Sequence, residues 1–242
     1  MYFSGDRRRP PTGWGRLELV TDETPPQLDG RVVRGDAKRR AILDLAVDLA
    51  SAEGLEGLSI GRLAGELGIS KSGVVLHFGS KEEMQLATIS TAVRRIHAEV
   101  IVPAEREPEG VVRLWTYCDR WLASLEGSLF AGGCFFSTVG AEFNARPGRV
   151  HDAIAAAHAT WLTVLRDQAA IAFDNGQLDG GGNPEQLIFE LDSVIRSSNL
   201  YSRLHGDNSA FDRARQTIRE RLATICVDDA TRRRLSVHPK KS

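Results

Sequence analysis

The residues of this chain best suited to binding chemistry are gathered in one short stretch, Ser59–Lys81, reading SIGRLAGELGISKSGVVLHFGSK. Arg62, Lys71 and Lys81 carry positive charge, His77 can acquire it, and Ser59, Ser70 and Ser72 offer hydroxyls. Among them lie Gly73, Val75 and Leu76, which are small or apolar. Cations in such a frame are placed to reach phosphates, which orient a protein on a duplex without reading its sequence. A small uncharged surface between them suits the floor of a major groove, where apolar side chains can contact thymine methyl groups.

The elements that must position these groups follow from local signals. Ser59 caps a first short helix with Leu63, Ala64 and Leu67 turned inward. Gly68 stops it, Ile69 tucks in, and Ser70 caps a second helix through His77 or Phe78. Two short helices joined by a Gly-containing turn make a helix-turn-helix. In the second, Val74 and Phe78 are four apart and face the core, which leaves Ser72, Gly73, Val75 and Leu76 on the opposite surface. A surface helix normally shows water a polar face, so this one is shaped to fit closely against something. Periodicity alone leaves equally open an ordinary helical hairpin with a solvated rim.

The run ISKSGVVLHFGSKEE resembles the recognition-helix signature of the TetR/AcrR family of bacterial transcriptional regulators, and RRAILDLAVDLASAEGLEGLSIGRLAGELG resembles that family's first helix and its link to the second. The resemblance spans about Arg34 to Leu86. It implies an all-α fold, with an N-terminal three-helix helix-turn-helix DNA-binding domain over 34–80 and a helical-bundle ligand-binding and dimerisation domain over 81–227. Together with the residue pattern, it makes Lys38, Ser59, Arg62, Ser70, Lys71, Ser72, Gly73, Val75, Leu76, His77 and Lys81 the expected DNA-binding set. Val75 stands where the family usually has Tyr, a residue that often touches the DNA backbone or a base, and Ser72 and Val74 replace the usual Gly and Leu. Gly73 in mid-helix costs about 1 kcal/mol relative to Ala, a cost kept where close approach to a partner matters.

Composition sets bounds on the remainder. The chain has 242 residues, 42% of them hydrophobic, enough for one small and one larger core. Its formal net charge is −1, so nucleic-acid affinity must come from local placement of Lys and Arg. No apolar run is long enough to span a membrane, and the N-terminus carries charges and prolines where a signal peptide needs an apolar core, so a cytoplasmic protein without membrane contact is expected. Cys118, Cys134 and Cys226 are odd in number and widely spaced, which argues against a disulfide scaffold or zinc site. His151 and His158 are seven apart, too far for an i, i+4 metal pair, so neither metal nor cofactor is expected. Cys134 after Gly132-Gly133 resembles a nucleophile site, but no base, orienter or oxyanion set accompanies it.

In chain order, residues 1–33 lack period and read as a flexible arm whose Arg7, Arg8 and Arg9 either enter a minor groove or form a solvated tail. From Asp36 a helix presents Ile42, Leu45, Ala46 and Leu49 on one stripe and ends at Gly54. Its basic start, Arg34, Lys38, Arg39 and Arg40, opposes the helix dipole. A nearby phosphate or pairing with Asp36 and Asp44 would relieve that. Ser80 and Glu83 form a capping box for a long helix to about Val102, ahead of Pro103, and rotation of that helix would couple the two domains. Helices are predicted at about 109–126, 134–146, 148–175, 184–205 and 208–226, followed by a basic tail over 228–242. The 184–205 helix is apolar too far round for one partner. With 208–226, whose arginines lie opposite a narrower seam, it suits a four-helix homodimer interface, as the resemblance also implies; burial within a monomeric bundle is the alternative.

The resemblance further implies that the second bundle binds a small, often apolar effector. Trp115, Cys118, Trp121, Phe135, Phe143, His158, Trp161 and Asp192 are the candidate ligand-binding residues, with Phe136 and His151 beside them; ordinary core packing is the competing explanation for each aromatic. The expected function is a ligand-responsive repressor that binds a palindromic double-stranded operator as a dimer. The alternative is an all-helical enzyme or small-molecule carrier without DNA binding.

Overall fold

Serine caps and left-handed glycines divide the first third of the fold into α1 (Gly30–Glu53), α2 (Ile60–Glu66), α3 (Lys71–Phe78) and α4 (Lys81–Ile96). A computed structural model describes residues 30–179 and 181–236. The hydroxyls of Ser59, Ser70 and Ser80 each accept from the amide three residues on, those of Arg62, Gly73 and Glu83, at 3.1 Å. Each bond satisfies one of the amides a helix start leaves orphaned. Gly54 and Gly68 end α1 and α2 with φ of +84° and +63°, a region that costs other residues roughly 1–2 kcal/mol.

Ile42, Ala46, Leu63, Ala64, Val74 and Phe78 are buried together in the core of the three-helix head, with the Arg39 guanidinium 5.1 Å from the centre of the Phe78 ring. α1 carries a second buried row, Leu43, Val47 and Ala50, which the single-stripe reading left out; it packs against α4 and α7 (Phe135–Phe143). Arg95 of α4 binds Asp44 and Asp48 at 2.9 and 2.7 Å, so Asp44 is engaged across the helix pair.

Two boundaries near the chain ends differ from expectation. Residues 30–33 are helical and belong to α1, whereas 1–29, with Arg7, Arg8 and Arg9, lie outside the described residues, as do 237–242. The expected basic tail contains α11 (Asp229–Ser236), whose Leu235 is buried and which packs on α6 (Val111–Glu126) and α10 (Ser209–Ile225).

α4 also runs on differently. Instead of stopping ahead of Pro103, the chain makes a π turn over His97–Ile101 and then the short α5 (Val102–Ala104). The Val102 amide donates to the His97 carbonyl five residues back, and Pro103 enters at the start of the new piece, where its missing N–H leaves no gap.

The remaining helices, α6, α7, α8 (Arg149–Asp174), α9 (Pro184–His205) and α10, lie within a few residues of their predicted limits. Asn183 caps α9 by accepting from the Glu185 and Gln186 amides. No named strand occurs among the described residues. Phe211, Ala214, Ile218 and Leu222 form the expected seam of α10.

Arg215 is the exception among the arginines of α10, many of which were expected opposite this seam. It is buried, binding Asp119 at 2.9 Å, Glu126 at 2.8 Å and Asp212 at 3.2 Å. Removing one partner of a buried ionic group leaves the others uncompensated. We expect Arg215→Ala to lower the unfolding free energy by about 3 kcal/mol in urea melts, and Gln216→Ala, on the exposed side, to change it by less than about 0.5 kcal/mol.

Candidate nucleic-acid interface

α3 turns Val74 and Phe78 into the head and presents the opposite face to solvent: Leu76 is 85% exposed and Val75 42%. Lys71 and Ser72 are exposed, and Gly73 and His77 half-buried. The Lys71 stem lies along α2 at Gly61, where an added Cβ would stand 3.3 Å from Lys71 Cε. Among the described residues no carboxylate pairs with Lys71. Ser59 and Ser70 are engaged as helix caps, and the Ser70 and Ser72 hydroxyls lie 3.1 Å apart. Lys38 is exposed on α1.

The other two cations are already engaged within the chain. Arg62 grips the Glu53 carboxylate with both terminal nitrogens, and this hydrogen bond holds the Glu53 carboxyl below its ordinary range. Lys81 Nζ donates to the Glu56 carbonyl at 2.9 Å and its carboxylate at 3.2 Å, which lowers Glu56 likewise. A phosphate at either position must share a cation with a carboxylate.

The head is docked on the second bundle through α7. The Glu142 carboxylate accepts from the amides of Leu55 at 2.7 Å and Glu56 at 3.0 Å, in the turn between α1 and α2. The Gly132 amide donates to Ser51 Oγ at 2.7 Å, and Thr138 Oγ1 to the Ser51 carbonyl at 2.9 Å. A Cβ on Gly132 would stand 2.2 Å from the Ala52 nitrogen, so only glycine permits this approach. On the other side, Arg149 at the start of α8 binds Glu82 and Glu83 at 2.9 and 2.6 Å in the first turn of α4.

Between α7, α8 and α9 opens a cleft of about 160 Å³. Phe136, Phe143 and Ile154 form its apolar side; His151, His158, Asn144 and Arg196 bring polar groups to it. Of the eight candidate ligand-binding residues, Phe143 and His158 line this cleft. Trp121 and Asp192 line a much smaller cavity of about 10 Å³ beside it, and Arg196 borders both. Trp115, Cys118, Phe135 and Trp161 line neither and are core residues.

Packing accounts for this division. The Trp161 ring lies 4.2 Å from Trp121 and edge-on to Tyr117 at 6.4 Å, and Phe135 meets Phe136 edge-on at 5.2 Å. Burial pushes the Cys118 and Cys134 thiols up, and Tyr117 up to about 12, so neither thiol is activated.

Two comparisons with known proteins bear on this arrangement. The family model for "Bacterial regulatory proteins, tetR family" matches residues 42–88, and that for "Tetracyclin repressor-like, C-terminal domain" matches residues 110–218, together more than half of the chain. The chain belongs to the TetR family. It is a DNA-binding transcriptional regulator with a helix-turn-helix head and a helical C-terminal domain.

Solved TetR-family structures share this fold at low identity. A regulator from Chloroflexus aurantiacus J-10-FL is 18% identical with a TM-score of 0.72, covering 77% of this chain and 94% of its own. One from Cytophaga hutchinsonii is 15% identical at 0.72, covering 84% and 100%. A ketosteroid transcriptional regulator of Mycobacterium tuberculosis is 16% identical at 0.60, covering 79% and 96%. No curated protein matches the chain. TetR-family regulators are generally non-enzymatic, and no helix among the described residues is long and apolar enough to cross a membrane.

Several residues of this TetR-family fold escaped sequence reasoning. Glu142, Ser51 and Gly132 act across more than 80 positions of chain, where local patterning carries no signal. Arg196 sits four residues after Asp192, a spacing that was available as a signal; its Nε donates to Asp192 Oδ2 at 2.7 Å. Asp192 also accepts from the Trp161 indole N–H at 3.0 Å and approaches His158 Nε2 at 3.4 Å. Burial alone would raise the Asp192 carboxyl, but His158 and Arg196 outweigh it and hold it below the ordinary range.

A depressed carboxyl contributes stability above its unfolded value of about 3.9 and loses it as pH falls through its folded value. We expect Asp192→Asn to cost about 1–3 kcal/mol at pH 7, with the gap to wild type shrinking below about pH 4. Urea melts from pH 7 to pH 3 measure it, and a gap that stays constant refutes the assignment.

Proposed function

We propose that this regulator is a homodimeric, ligand-responsive repressor whose two α3 helices hold a palindromic operator and release it when a small molecule fills the α7–α8–α9 cleft. The observation that carries this reading is the exposed, uncharged face of α3, with Leu76 at its apex, Lys71 at its start and Lys81 following it at the start of α4. Among the described residues nothing covers this face, and it is framed by groups that suit phosphates. Lys38, Ser59, Arg62, Ser70, Ser72, Gly73, Val75 and His77 complete the proposed surface. The protein then works in the cytoplasm, where its operator lies, without catalytic turnover.

Dimerisation is supported by α9. Phe189, Leu200, Tyr201 and Leu204 are exposed there, whereas Leu187, Ile188, Leu191 and Ile195 face the core. The exposed side of α10 is polar, with Asp212, Arg213, Gln216, Thr217 and Glu220, so α9 supplies the apolar centre of a four-helix interface and α10 its rim. Two heads about 34 Å apart would meet successive major grooves of a palindrome.

The cleft suits a small molecule with an apolar body and a polar edge. Its volume is close to that of engineered cavities, roughly 150 Å³, that accept benzene. An occupant bears on α7, which reaches the head through Glu142, and on α8, which reaches α4 through Arg149. It releases DNA only if it binds the non-reading arrangement more tightly.

Two measurements test this reading. Lys71→Ala and Lys81→Ala should each weaken binding about tenfold across sequences and reduce the salt slope of the affinity by about one; unchanged affinity removes that lysine from the interface. Leu200→Glu should yield monomers in sedimentation and lower operator affinity at least about a hundredfold, since the second half-site is then no longer tethered. A Leu200→Glu protein that remains dimeric places the interface elsewhere.

A further inference from the structure

We infer that Leu76, with Val75 beside it, reads thymine methyl groups, so that each operator half-site carries thymine beneath α3. This deepens the proposed DNA-binding reading and rests on it. α3 is Lys-Ser-Gly-Val-Val-Leu-His-Phe, and it holds no Arg, Asn, Gln, Asp or Glu. The amides that read adenine and the carboxylates that read cytosine are therefore absent from the helix itself, and Lys71 and His77 are the side chains on it that could donate to guanine.

Its two polar extremes are turned aside. Lys71 lies along α2 at Gly61, and His77 is half-buried with its ring 6.3 Å from that of Phe78. The Ser70 hydroxyl caps the helix and lies 3.1 Å from that of Ser72, and a serine hydroxyl pairs with any base edge that offers a donor or acceptor. What remains at the apex is an isopropyl group, 85% exposed, with Val75 at 42%. The C5 methyl of thymine is the apolar group that a base pair presents in the major groove. An apolar apex on a reading helix is complementary to that methyl and offers nothing to the hydrogen-bonding groups of the other base edges. Gly73, one turn back on the outer face, adds no side chain that would hold the helix away.

The test uses the full-length chain and a pool of random duplexes. Selected sites are remade with deoxyuridine in place of each thymine, which deletes the methyl and leaves every hydrogen-bonding group unchanged. Burying one such carbon is worth about 0.8 kcal/mol, or about fourfold in affinity. Wild type should lose about fourfold per methyl at one or two positions in each half-site. Leu76→Ala should bind the thymine duplex more weakly and be indifferent to deoxyuridine at those positions. Because Leu76 is exposed, its truncation should leave the thermal melting point unchanged, which separates the effect from misfolding.

Half-sites without thymine beneath α3, wild type indifferent to every replacement, or Leu76→Ala retaining full discrimination each overturn this inference alone. A pool that yields no enriched sequence overturns the proposed reading surface and this inference with it.

Discussion

One carboxylate holds the two halves of this regulator in register. Glu142, near the end of α7, accepts from two consecutive amides in the turn that links α1 to α2. Hydrogen bonds to a charged group contribute about 1.5–3 kcal/mol each, more than the neutral bonds around them. Close packing reinforces the grip, because Gly132 brings its backbone against Ser51 and Ala52 at a separation that no other residue allows. The second buried row of α1, Leu43, Val47 and Ala50, then has somewhere to go. Without α7 that row would keep only its contact with α4.

Two mechanical connections of unequal stiffness run between bundle and head. The α7 route is short, partly buried and backed by backbone contact. The α8 route passes through Arg149, Glu82 and Glu83, all about half exposed, where solvent and salt weaken an ion pair. The cleft is walled by α7, α8 and α9, so both connections start from its walls.

Local chemistry made the helix boundaries legible, whereas the long-range contacts were not. Ser59, Ser70, Ser80 and Asn183 announce helix starts through bonds made within three residues, and Gly54 and Gly68 announce stops through their own backbone. Inward and outward faces were equally readable where one stripe faced one partner, as for Val74 and Phe78 against Leu76. Reading failed where the answer lay in a distant segment. Period shows that Trp115, Cys118, Phe135 and Trp161 point inward, but not whether a neighbour or a void meets them; Tyr117 and Trp121 meet Trp161, and Phe136 meets Phe135. The burial of Arg215 was hidden for the same reason, since the approach of Asp119 and Glu126 from α6 makes a buried guanidinium tolerable.

Two exposed apolar faces among the described residues pose one physical problem. Leu76 on α3 and the Phe189–Leu204 row on α9 both present hydrocarbon to water, while the chain's net charge of −1 offers little electrostatic protection against association. Covering the α9 row by a second copy removes the larger patch without a change in charge and fixes the separation of the two heads. The α3 face must stay open, and it is kept small, two apolar side chains between serines and lysines, so that it tolerates water when no partner is present. In the proposed dimer, permanent contact belongs to the wide face and reversible contact to the narrow one, which is the order of their sizes.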